Sequence, residues 1–269
     1  MNTPLDWPGF GQLTPLAILL LCAAALVAGL VDAIVGGGGL IQLPALLLFL
    51  PGGQAVYSLA TNKIPSVAGT AVAAASYSRQ VRIDWAHTLP MAAAAFGGSV
   101  GGAVLAAALP SRVLTAVVLV ALIGVGLYTW RRPELGLHHA PRLGRRAQLL
   151  VMLAGGAVIG FWDGLAGPGT GAFLVFMLVG LVGFAFLAAS ATAKVVNVAT
   201  NLGALTFFVP AGVVLFGLGA VMAVCNVAGS LVGTRLAVRR GSAFVRVVFL
   251  WLVAGLVVSL AVKLAIAPG

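Results

Sequence analysis

From Leu16 to the C-terminus the chain is a succession of apolar runs separated by short breaks that are polar or glycine-rich, and within the runs hydrophobic residues do not alternate with polar ones. A membrane barrel strand would alternate. Continuous runs instead cross a hydrocarbon core of roughly 30 Å as helices of about 20 residues. The pattern predicts segments near 15–35, 40–50, 55–78, 86–109 and 112–130, and a second set near 147–166, 171–182, 186–209, 214–237 and 247–266. The second segment of each set has only about a dozen residues, roughly 18 Å of helix, too short to cross straight. Each is expected to dip into the membrane and turn at the glycines before it.

The two sets are copies. At a shift of 131 residues, Gly160-Phe-Trp-Asp-Gly-Leu-Ala-Gly-Pro-Gly lies under Gly29-Leu-Val-Asp-Ala-Ile-Val-Gly-Gly-Gly, and residues 29–69 show 13 identities in 41 positions. Matches among Leu, Val and Ala could follow from apolar bias, but Asp32/Asp163 and Lys63/Lys194 could not. The same shift pairs Gly98, Ser99 and Gly102 with Gly229, Ser230 and Gly233, a GxxxG pattern whose ordinary meaning is close helix packing. The expected organisation is a first transmembrane repeat over 14–131, a cytoplasmic linker over 132–146 and a second repeat over 147–267.

Charge sets the orientation. The chain is 61% hydrophobic and 7% charged with a net charge of +10, which excludes an ordinary water-soluble fold. Its arginines sit mostly in the short connections, so they report membrane orientation rather than a nucleic-acid face. Arg79 and Arg82 follow the third segment of the first repeat, whereas Arg239, Arg240 and Arg246 follow the fourth segment of the second. If basic loops are cytoplasmic, the repeats are inverted. The fold class is therefore an all-α polytopic protein of the inner cell membrane, with two inverted-topology repeats of about five segments each and both termini outside. Cys22 and Cys225 fall inside apolar segments and are expected to be buried packing residues.

Inverted repeats with glycine-interrupted short helices are how secondary transporters build a site near the membrane middle. Here the breaks are Gly36, Gly37, Gly38 and Gly39, and Gly167, Gly169 and Gly171. Glycine lets the backbone leave helical geometry and exposes amide N–H groups at the positive end of the next half-helix, which suits a small anion. Lys63 and Lys194 each lie about eight residues into a third segment, about 12 Å deep, where a lysine is expensive and snorkelling is at its limit. Asp32 and Asp163 either neutralise these lysines or take up and release a proton. Thr61, Asn62, Ser66, Thr192, Asn197 and Asn201 share the lysine-bearing segments, and Lys194, Asn197 and Asn201 share one helical face. They either line a substrate path or bond between helices. His87, beside Asp84 and Trp85, is expected to be an interfacial anchor. Nothing in the pattern points to an enzyme, a metal or a cofactor.

Gly29-x-x-Asp32-x-x-x-Gly36-Gly-Gly-Gly39 with Thr61-Asn62-Lys63, followed by Gly160-x-x-Asp163-x-x-x-Gly167-x-Gly169-x-Gly171 with Thr192-Ala193-Lys194, resembles the TauE/SafE sulfite exporter family. The resemblance covers about 14–266. It implies a secondary carrier for sulfite, sulfonates or related small sulfur-containing organic anions, driven by an ion gradient and often by protons. The glycine breaks and the Asn62-Lys63 region would form its binding centre. The second repeat departs from the first at Ala193 and Pro168, so the half-sites are not chemically equal. The expected partners are a small anionic substrate, the lipid bilayer, a coupling proton and, as a homodimer, a second copy of the chain. An anion channel on the same scaffold, or a carrier of another small organic solute, is the alternative.

Overall fold

The computed structural model describes residues 9–10, 13–50, 55–108 and 143–266, with side chains as far as residue 251. Among the described residues eight α-helices follow in chain order: α1 Pro15–Val35, α2 Gly39–Phe49, α3 Ala55–Ser78, α4 Trp85–Ala106, α5 Arg145–Leu165, α6 Thr170–Met177, α7 Phe186–Phe208 and α8 Phe216–Ile266. The segment expected near 112–130 and most of the linker lie outside the described residues.

Local chemistry sets the boundaries. Thr14 caps α1 by accepting the Ala17 amide at 3.2 Å, and Pro15 takes the first helical position, where its missing N–H costs nothing. The same helix stops at Gly36, whose φ of 83° is left-handed and whose amide bonds the Asp32 carbonyl at 2.7 Å. Gly167, 131 residues on, has φ 86° after α5. Both breaks are thus sharp turns at equivalent glycines. The short α6 continues into a π-helical turn over Leu178–Val182 and ends at Gly183, so the single segment expected near 171–182 is two geometries in sequence. Helix α8 runs through the position where two segments were expected, with their boundary kept as a break at Gly241 (φ 72°, ψ −169°).

The helices do not pack by sequence half. Helix α4 packs mainly on α5 and α7, and the first part of α8 packs on α1 and α3, while α3 and α7 face each other at the centre. These partnerships interchange under the 131-residue shift down to single residues. A Cβ on Gly98 would collide with the Ala157 carbonyl oxygen and one on Gly229 with that of Leu26; likewise Gly160 abuts Ala95 and Gly29 abuts Asn226. Each repeat lends its fourth helix to the other.

The exterior is apolar, and the interior combines apolar packing with a set of buried polar side chains. Leu48 and Val224 are 78% and 72% exposed, as lipid-facing residues are, whereas lysines, aspartates, asparagines and glutamine are buried between helices. Helices α1, α4, α5 and the Phe216–Trp251 part of α8 are long and apolar enough to cross a membrane. Helices α3 and α7, at 24 and 23 residues, carry the two buried lysines and the buried Asn62, Asn197 and Asn201.

Two expectations are corrected. His87 is not an interfacial anchor: its ring is buried, with Nδ1 2.6 Å from Asp84 Oδ2 and Nε2 3.2 Å from the Arg145 carbonyl, fastening the start of α4 to the start of α5. Cys22 and Cys225 are half-buried free thiols in contact across α1 and α8.

Candidate functional site

Two ion pairs cross the middle of the helix assembly. Lys63 Nζ on α3 lies 2.8 Å from Asp163 Oδ2 on α5 and donates to the Asp163 backbone carbonyl at 2.6 Å. Lys194 Nζ on α7 lies 3.0 Å from Asp32 Oδ2 on α1. Each lysine pairs with the aspartate of the other repeat, and the 131-residue shift converts one bridge into the other. With Lys63 and Lys194 only 2% and 0% exposed, neither ammonium snorkels. Burial of four charges is tolerable because each has an opposite partner, and removing one partner strands the other at a cost of roughly 3–5 kcal/mol.

Between the bridges the two glycine breaks touch. The Ala172 amide donates to the Gly36 carbonyl at 3.0 Å, and a Cβ on Gly36 would run into the Gly171 backbone, so neither position admits a side chain at this approach. A cavity of about 20 Å³ remains, room for about one water. Its wall takes Asp32, Gly36, Gly38 and Gly39 from the first break and Asp163, Gly167, Gly169, Thr170 and Gly171 from the second. Asn62, Lys63 and Ser66 of α3, Asn197 and Asn201 of α7 and Asn226 of α8 complete it. Among the described residues, the amides of Gly39, Gly169 and Gly171 have no hydrogen-bond acceptor. They sit at the starts of α2 and α6, where unpaired N–H groups and the helix dipole make the local potential positive.

Four of the residues predicted for the site stand elsewhere. Lys194 is behind the wall and reaches the cavity only through Asp32, so the two lysines do not face it equally. Thr61 Oγ1 accepts the Leu215 amide at 3.1 Å, tying α3 to the entry of α8. Thr192 is buried away from the cavity, and Gly37 belongs to the first break without reaching the wall. Conversely, Thr170 and Asn226 line the cavity without having been singled out, and Gln42 bonds Asn62 and Asn226 from just behind it.

Comparison with known proteins places the chain. The family model described as "Sulfite exporter TauE/SafE" matches residues 21–260, most of the chain. The chain belongs to the TauE/SafE family. Among curated relatives, the "Probable membrane transporter protein ORF9" of a Sinorhizobium species is 36% identical over 229 residues, covering 85% of this chain and 86% of the relative. The "Probable membrane transporter protein YfcA" of Escherichia coli K12 is 34% identical over 235 residues, covering 87% and 86%. A "Probable membrane transporter protein" of Haemophilus influenzae is 32% identical over 229 residues, covering 85% and 88%. No solved structure matches the chain. Family and apolar helices together make this a multi-pass membrane transporter of a small solute.

Proposed function

We propose that the chain is a secondary carrier that moves a small anion, sulfite, a sulfonate or a related sulfur-containing organic anion, across the inner cell membrane by proton-coupled alternating access. The observation that carries this reading is the meeting of two glycine breaks, with unpaired amides at two helix starts, beside the buried ammonium of Lys63.

Charge balance gives the coupling. Lys63, Lys194, Asp32 and Asp163 sum to zero as paired, so an entering anion would add an uncompensated buried charge worth several kcal/mol. The anion takes the Lys63 ammonium, Asp163 leaves it and accepts one proton, and the site returns to neutrality. One anion thus moves with one proton.

The moving bodies follow from the packing. One consists of α1, α2, α3 and the first part of α8, the other of α4, α5, α6 and α7, each with a helix from the opposite repeat. Both Lys–Asp bridges join one body to the other. They act as clasps. Opening one clasp at a time exposes the cavity to one side and then the other.

A second reading rests on the full pairing of the lysines: a charge-neutral quartet also suits a neutral solute. Flux into proteoliposomes decides. Sulfite or methanesulfonate uptake that saturates and accelerates with an inward proton gradient supports the carrier. Uptake that follows membrane potential alone identifies a channel, and its absence, with flux of a neutral solute, establishes the second reading.

A further inference from the structure

Gln42, Asn62 and Asn226 form a chain of amides along one side of the cavity. Asn226 Nδ2 donates to Gln42 Oε1 at 2.9 Å, and Gln42 Nε2 donates to Asn62 Oδ1 at 2.7 Å. Ser230 Oγ closes the far end, 3.5 Å from Asn226 Oδ1 and 3.3 Å from the Gly29 carbonyl. Asn62 lines the cavity at 5% exposure; with its oxygen occupied, its Nδ2 is left without a partner among the described residues. The equivalent positions in the other repeat are Phe173, Ala193 and Ala95, which can form no such chain.

On the facing helix Asn197 is oriented by a different device. Asn201 Nδ2 donates to the Asn197 backbone carbonyl at 2.7 Å and to Asn197 Oδ1 at 3.1 Å, and Thr200 Oγ1 lies 3.2 Å from the same oxygen. A backbone carbonyl only accepts, so the Asn201 nitrogen is fixed there, and the Asn197 atom that faces it is the oxygen. The Asn197 Nδ2 is then the atom left for the cavity it lines.

We propose that Asn62 and Asn197 are two oriented N–H donors for two oxygens of the transported anion, and that Gln42 is a positioning residue that turns the Asn62 donor toward the cavity. The inference rests on the carrier reading above and names the residues that would meet two acceptor oxygens on one centre of its substrate, such as those of a sulfonate or sulfite group. Neutral amides recognise such a group without adding charge to a site already balanced by its ion pairs.

The test is thermal stabilisation of the purified full chain titrated with methanesulfonate, compared among wild type, Asn62→Ala, Gln42→Met and the double variant. Each single substitution is expected to weaken apparent affinity about tenfold, the loss of one hydrogen bond to a charged group. The double variant is expected to be no weaker than Asn62→Ala alone, because Gln42 acts only through Asn62. Gln42→Glu supplies a second variant: its carboxylate cannot donate, so Asn62 turns its oxygen to the cavity and affinity falls at least as far as in Gln42→Met. Wild-type affinity in Gln42→Met, or multiplying losses in the double variant, overturns the inference. A wild type stabilised by no oxyanion overturns the anion-carrier reading and this inference with it, whereas a stabilised wild type with an indifferent Gln42→Met overturns the inference alone.

Discussion

Lys63 and Asp163 carry the sharpest residue-level expectation. Replacing Lys63 with Met leaves Asp163 buried beside a thioether, which should lower thermal stability by roughly 3–5 kcal/mol and abolish anion flux. Adding Asp163→Leu removes the stranded carboxylate, and the double variant should regain most of the melting temperature while flux stays absent, since the ammonium that meets the anion is gone. Melting curves and proteoliposome flux measured on the same preparations check both halves. Recovery of flux in the double variant would make the pair purely structural. The residues of this pair were legible in the sequence because the 131-residue shift matches a rare Lys and a rare Asp in both repeats. Their partnership was not, because a repeat shows which residues are equivalent and not which ones touch. Asn226, Gln42 and Thr170 escaped for a related reason: their equivalents are Ala95, Phe173 and Gly39, so duplication gives no signal where the repeats have diverged.

At the level of helices, glycines mark where backbones meet, and they are not interchangeable. Gly102 packs on the Phe161 carbonyl of α5, where a Cβ has no room, whereas a Cβ on Gly97, five residues earlier on α4, would meet nothing within 4 Å. Gly102→Val should force α4 and α5 apart and cost several kcal/mol by overpacking, while Gly97→Ala should leave the melting temperature unchanged or raise it slightly through helix propensity. Melting curves of the two variants in detergent distinguish these outcomes. Helix extents were largely legible from hydrophobic runs and their breaks: α1 and α3 fall at 15–35 and 55–78, as the pattern predicts. The π turn after α6 was not, since it depends on how Leu178–Val182 closes onto Gly183 rather than on composition. His87 was misjudged because its second partner, the Arg145 carbonyl, is remote in sequence.

For the whole molecule, the exchange of fourth helices decides which parts can move as units. If the bodies are α1–α3 with α8 and α4–α7, a tether inside one body should leave transport intact and a tether between bodies should stop it. Cysteines at His87 and Arg145 join α4 to α5 within one body; cysteines at Ile34 and Ser190, where Ser190 Oγ donates to the Ile34 carbonyl at 3.1 Å, join α1 to α7 across the interface. In a Cys22→Ser, Cys225→Ser background, a short thiol cross-linker should abolish flux only in the second pair, with recovery if a reducible linker is cleaved. Movement of the sequence repeats as rigid halves predicts loss of flux in both pairs, since each tether joins a helix of the first repeat to one of the second.

The proposed transport cycle turns on one event, the exchange of Asp163 for an anion at Lys63 with uptake of a proton. Titration calorimetry with methanesulfonate, run in two buffers of different ionisation enthalpy, measures binding and proton uptake together, and this probe is itself a permanent anion that takes no proton near neutral pH. Saturable binding is expected, with about one proton taken up per anion bound and both lost in Lys63→Met. Binding without proton uptake, or binding undiminished in Lys63→Met, would contradict it.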